Sequence, residues 1–254
     1  MGQGLIDGTL PLTQIDLTLF GGSISPSATR GLATGYVATS STSGVAIRAT
    51  TYSPQGTNAQ RSVASSSAND SASGTGAQQI TITCLNTTWT VQTEVITLNG
   101  TTAVATVNTD YAFVEQMVVT QTGTQGGGNI GTISFYVNST GGGGVWASIA
   151  ASDNRTFYAH HYIPAGVTCY IHAFYGGATA VDGSITIERS GNPLTVTSPQ
   201  SNVAGSYPHG GPGNVVTQFR LPITVPGPDF VWLVERPVAA TSSTTYGTFE
   251  YFQF

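Results

Sequence analysis

Along most of this chain apolar and polar residues alternate with a period of two, in short runs broken by glycine and asparagine. Gln79-Ile80-Thr81-Ile82-Thr83-Cys84-Leu85 puts Ile80, Ile82 and Cys84 on one face of an extended strand. Residues 91–98 predict a second strand. Asn99-Gly100 then predicts a two-residue turn into a third strand over 101–107, because both residues tolerate φ > 0. Further strands are predicted over 113–119, 131–137, 145–150, 156–163, 168–174 and 184–188. They are separated by Gly126-Gly127-Gly128, by the run Gly141-Gly142-Gly143-Gly144, by Asp153-Asn154 and by Pro164-Ala165-Gly166. No window keeps apolar residues at i, i+3, i+4 and i+7. The expected fold is therefore all-β, with 79–190 as an antiparallel sandwich of roughly nine strands, jelly-roll-like in size.

The flanks read differently. Residues 1–78 are expected to form an extended N-terminal arm, with a short alternating run at Ile15-Asp16-Leu17-Thr18-Leu19 and a brief strand at Val45-Ala46-Ile47-Arg48. The stretch 62–76 is small, polar and turn-prone, which suits a segment laid against a neighbour. Residues 191–254 carry Pro-containing breaks and then strands over 215–223, 230–234 and 246–254. These are expected to pack on the sandwich or on a neighbouring subunit. The last strand, ending Phe249-Glu250-Tyr251-Phe252-Gln253-Phe254, is too aromatic to be left in water and is expected to close a sheet or plug a partner.

Composition narrows the class. Charged residues make up 7% of the 254, against about a quarter in an ordinary soluble domain, and the seven basic residues are all arginine. The missing charge is replaced by Gly, Ser, Thr, Asn and Gln, with hydrophobic residues at 39%. A neutral β-surface of this kind suits a protein whose surface faces other copies, since interface cores are depleted in charge. Scattered arginines and a net charge of −5 argue against nucleic-acid binding. No apolar stretch reaches the ~18 residues of a membrane-spanning helix, and the opening residues lack the charged and apolar regions of a secretory signal. Cys84 and Cys169 sit in strand-like runs and are expected as buried thiols, paired only if their strands are neighbours. The sequons at Asn69, Asn86, Asn99, Asn138 and Asn154 are what chance supplies in a chain so rich in Ser and Thr.

Candidate chemistry is thin, and no catalytic, cofactor or metal site is expected. His160-His161 lie on one strand, so their rings point to opposite faces and cannot share an ion; His172 lies in the next strand. Gly205-Ser206-Tyr207-Pro208-His209 reads as a turn-forming loop rather than a nucleophile and its base. Asp153, Asp182, Glu188 and Glu235 are the acids available for glycoside chemistry, with nothing to bring two of them to one groove. The aromatics Phe157-Tyr158, Tyr170, Phe174-Tyr175 and Phe230-Val231-Trp232 suit a core or subunit interface better than a sugar-binding surface.

Several turn and strand phrases carry a resemblance. Gln60-Arg61-Ser62-Val63, Ser65-Ser66-Ser67-Ala68-Asn69-Asp70 and Gly74-Thr75-Gly76-Ala77 precede the Ile80-Thr81-Ile82 strand. They are followed by Glu94-Val95-Ile96-Thr97-Leu98-Asn99-Gly100-Thr101 and Asn129-Ile130-Gly131-Thr132-Ile133. Together they resemble virion structural proteins of tailed bacteriophages over roughly half the chain, without touching any catalytic motif. The resemblance implies a non-enzymatic protein made in the host cytoplasm and carried in the virion. Its partners would be the major capsid protein or tail proteins, and its own copies in a homo-oligomer such as a trimer. Capsid decoration or cementing is the first expectation. A tail, baseplate, neck or fibre component is the alternative, and a carbohydrate-binding module the second.

Overall fold

The computed structural model describes residues 29–40, 43–48, 59–180, 182–190, 202–209, 213–240 and 242–254. The run Ile15-Asp16-Leu17-Thr18-Leu19 lies outside them. Among the described residues there is no helix, and hence none long and apolar enough to cross a membrane. Every strand pair is antiparallel. In chain order the strands are β1 (Thr29–Thr39), β2 (Val45–Ala46), β3 (Ser62–Ser65), β4 (Ala77–Asn86), β5 (Val91–Thr97) and β6 (Val104–Ala105). There follow β7 (Tyr111–Thr122), β8 (Ile133–Tyr136), β9 (Val145–Ile149), β10 (His160–Ile163) and β11 (Thr168–Ala178). The last five are β12 (Gly183–Ser190), β13 (Asn202–His209), β14 (Gly213–Pro226), β15 (Asp229–Pro237) and β16 (Ser243–Gln253).

Four sheets result. An outer sheet runs β1-β16-β11-β14, and a middle sheet runs β10-β15-β12-β13, with β2 also on β15. Two smaller sheets, β5-β4-β7 and β6-β3-β8-β9, are built from the residues between β2 and β10. The eight strands β1 and β10–β16 nest by pairing: β1 with β16, β10 with β15, β11 with β14, β12 with β13. The intervening unit leaves and rejoins this frame at one point. There Ala159 N donates to Ile47 O at 3.0 Å, Ile47 N to Leu233 O at 2.9 Å and Leu233 N to Ala159 O at 2.9 Å. β1 crosses directly over the junction. A Cβ on Gly35 would lie 2.5 Å from Ala159 N and Ile47 O, so only glycine fits.

Two cores share the middle sheet. β15 reads Phe230-Val231-Trp232-Leu233-Val234, an unbroken apolar run, and that is the pattern of a strand buried on both faces. Phe230, Trp232 and Val234 face the core made with the inserted sheets, alongside Ile80, Ile82, Phe113 and Phe135. Val231 and Leu233 face the core made with the outer sheet, alongside Ile171, Phe174 and Phe249. The architecture is thus three tiers, sandwich-like at each interface.

The Asn99-Gly100 expectation needs correction. Gly100 is a turn glycine at φ +61°, but the chain does not fold back on β5 there. It crosses to the other small sheet, where β6 pairs with β3. Gly100 N donates to Asp70 O at 2.8 Å and Gly100 O accepts from Ser65 N at 2.9 Å, and these non-local bonds pull the turn away from its local partner. β5 instead pairs with β4 through the preceding turn. There Asn86 Oδ1 accepts from Thr88 N at 3.0 Å and Thr90 N at 2.9 Å, and Trp89 takes the left-handed position at φ +61° that a glycine usually fills. The segment Gly205 to His209 is likewise a strand, part of β13, and not a loop. β13 is the last strand of the middle sheet, where Pro208 takes no ladder bond away.

Candidate functional site

A cleft of about 300 Å³ opens where β1, the β4–β5 hairpin, β7 and β10 meet. Its polar floor grows from strand alternation. His160 and His161 are neighbours on β10, so one ring enters the inner core and the other turns to the cleft. His160 packs against Phe113, Tyr158 and Phe230 at centroid distances of 4.9, 5.2 and 5.4 Å. Burial, reinforced by Arg48, pushes its pKa well below the ordinary histidine value and keeps it neutral. Its Nε2 lies 3.2 Å from Glu115 O.

His161 makes the opposite set of contacts. Its Nδ1 lies 2.6 Å from Glu115 Oε1, its Nε2 lies 2.9 Å from Gln253 Oε1, and its ring stacks on Tyr251 at 4.2 Å. Glu115 Oε2 also accepts from Tyr162 N at 3.3 Å. One β7 residue therefore holds both histidines of β10, through its carbonyl and through its carboxylate. The group fastens the inserted unit to the frame, and Leu32, Val91 and Arg155 stand at the cleft as its apolar and cationic lining. Chemically it offers a carboxylate, an amide and a guanidinium to a small hydroxylated or polar ligand.

The other candidates are not brought together. His172 Nε2 lies 3.4 Å from Glu250, which also pairs with Arg30 at 2.9 Å. His209 is buried against Glu235, Nε2 to Oε1 at 3.1 Å, and burial raises the Glu235 pKa while His209 opposes it. Ser206 is exposed and His209 buried, three positions apart on one strand, so they face opposite ways. Glu188 bonds Arg236 at 2.5 Å on the side of Trp232, and Glu235 lies beside Ile185 on the other face of the middle sheet. Asp153 accepts from Tyr36 OH at 2.8 Å, and Asp182 is exposed. Cys84 and Cys169 are buried free thiols, and Cys84 Sγ donates to Gln92 O at 3.6 Å. Among the described residues no group of three or more His, Cys, Asp or Glu is placed to hold a metal ion.

A second site, invisible in the pattern of polar and apolar residues, centres on Asp70. Its fully buried carboxylate accepts from Ser65 Oγ at 2.6 Å, Ala77 N at 2.8 Å, Ile130 N at 2.9 Å and Gly131 N at 2.8 Å. The phrases Ser65–Asp70, Gly74–Ala77 and Asn129–Gly131 thus converge on one anion, and Gly100 N reaches the backbone carbonyl of the same residue. The stretch 62–76, expected to lie against a neighbour, is strand β3 followed by a series of turns within the chain's own fold. The signal available in the sequence was a lone Asp among small residues, which marks a turn without naming its partners.

No protein-family model matches the chain, and no curated protein matches it.

Proposed function

We propose that the chain is a non-enzymatic structural component of a tailed-phage virion, first as a capsid decoration or cement protein. The observation that carries this reading is where the charges go. Among the described side chains only Arg30, Arg155 and Asp182 are exposed charges; the other acids and arginines are half-buried or buried. Glu188, Asp229 and Glu250 pair with Arg236, Arg189 and Arg30, while Asp70 and Glu94 tie down backbone N–H groups. A surface left to Thr, Ser, Asn, Gln and Val suits repeated contact with other protein, because covering it strands no charge.

The finer fold reading belongs to the same proposal. Nested pairing of eight strands in two four-stranded sheets supports a jelly roll, a fold used in capsid and lectin domains, with the small sheets inserted after its first strand. Within residues 1–78, expected to form an arm, β1, β2 and β3 are instead paired strands of these sheets.

Purified intact virions test the function. The protein should be present in many copies, with its density on the shell, and particles lacking it should rupture more readily. Its absence from intact virions would overturn the assignment, and density on the tail would decide for a tail, baseplate, neck or fibre role. A carbohydrate-binding reading rests on one feature, the aromatics Tyr170, Tyr175 and the exposed Tyr246 and Phe254 on or beside the outer sheet. Silence on a glycan array removes it.

A further inference from the structure

We propose that β5 is a self-association edge, pairing antiparallel with β5 of a second copy about a two-fold axis through Thr93. The proposal is independent of any place in a virion. β5 is the edge of its sheet, with β4 on one side and no strand among the described residues paired on the other. The flanking bonds Asn86 N to Thr90 O and Leu98 N to Gln78 O fix which positions face β4. With that phase, Gln92, Glu94 and Ile96 spend their backbone groups on β4, and Val91, Thr93 and Val95 direct theirs to the open edge. Their side chains are exposed too, Val91 at 53% and Val95 at 60%. Nearby, Val107 is 86% exposed and holds its N–H 2.6 Å from Glu94 Oε1.

Lysine, proline or a bulge commonly protects an edge strand; β5 has none of these, and its one charge, Glu94, is on the half-buried face and engaged within its own chain. What fits it is a strand whose exposed face is uncharged and alternates Val with Thr, and the exposed positions of β5, Val91, Thr93, Val95 and Thr97, form such a face. The register follows from charge. An axis through Glu94 would oppose two carboxylates. An axis through Val95 would set Glu94 against Ile96 and Gln92 against Leu98. An axis through Thr93 sets Val91 against Val95, Thr93 against Thr93, and the Gln92 amide against the Glu94 carboxylate of the copy. Glu94 already accepts from Val107 N, Asn108 N and Tyr111 OH, and Gln92 Nε2 already donates to Asp110 Oδ1 at 3.0 Å, so one carboxylate lone-pair site and the second amide N–H remain for that contact. About six main-chain hydrogen bonds would form, and both copies' outer faces would join in one six-stranded sheet. A contact so small makes a weak dimer in solution, with Kd on the order of 10–100 µM, and a firm one where many copies are held together.

The test uses the full chain. Thr93→Cys should cross-link to a covalent dimer on mild oxidation, because residues facing each other across a two-fold have Cα atoms about 5.5 Å apart. Thr97→Cys, also exposed on the same strand, falls opposite the β4–β5 turn of the copy and should not. The buried Cys84 and Cys169 leave the unsubstituted protein as a blank. In sedimentation, Thr93→Pro removes only an edge donor and should raise the dimer Kd at least about tenfold, with Val95→Lys as a second disruptor if the first does not fold. A chain that stays monomeric at several hundred micromolar overturns the proposal. So do equal cross-linking at Thr93→Cys and Thr97→Cys, and a dimer untouched by both disruptors.

Discussion

Asp70 shows how one side chain organises a region that carries no regular structure of its own. Three of its four donors are backbone N–H groups, and two of those lie some sixty residues ahead in the chain. Asp70→Ala leaves those donors buried and unpaired, and each such group costs roughly 1–3 kcal/mol. Denaturant unfolding should therefore show a loss of about 3 kcal/mol or more, with Asp70→Asn intermediate. The residue was legible only as a turn former, because its partners are set by tertiary folding and not by spacing. The buried acids of weak strength make a second prediction. Burial pushes the Cys84 and Cys169 thiols up to about 12, and burial with Asp153 pushes the Tyr36 hydroxyl up to about 12. Their ordinary values are 9.0 for the thiols and 10.0 for the tyrosine. The unfolded chain then releases protons that the folded chain retains, so stability is complete below pH 9 and falls as pH rises from 9 towards 12. Urea midpoints measured from pH 7 to 11 should decline from about pH 9, and Cys84→Ala with Cys169→Ala should flatten the decline.

Strands were legible where alternation was clean. Residues 79–85, 113–119 and 168–174 all fall within observed strands. What the sequence could not say was which strand lies beside which, since a turn residue specifies a bend and not a partner. Asn99-Gly100 bends the chain as expected and then delivers it to another sheet, while the Asn86 turn closes the hairpin without a glycine. β13 was missed because Gly205 and Pro208 speak for a loop, and only an edge position reconciles them with a strand. β15 was legible as a strand but not as the shared wall of two cores. That role has a measurable result. Trp232→Ala empties space on the insert side and Leu233→Ala on the outer-sheet side, costing about 3–5 and 2–5 kcal/mol. Calorimetry should show one transition in each variant, shifted as a whole, because neither core keeps its wall when β15 yields. Two resolved transitions would mean that the cores melt independently.

At the scale of the molecule, all-β character and scarcity of charge were both plain from composition, but the use of that charge was not. The few carboxylates look like sparse surface solvation when counted, and prove to be internal fasteners when placed: Glu115 between β7 and β10, Glu188 and Asp229 along the middle sheet, Asp70 among the turns. The cleft histidines were found by the sequence and their carboxylate was not, because Glu115 comes from a different sheet. The junction at Ile47 and Ala159 carries one more meaning. Because the chain departs and returns through adjacent hydrogen-bonded residues, the inserted unit has the topology of a cassette: it can be lengthened, exchanged or cut out without rethreading a strand of the frame. Yet it also roofs Phe230, Trp232 and Val234, so removing it would lay an aromatic wall bare to water. Exchange for another roof is open to this fold, and plain deletion is not.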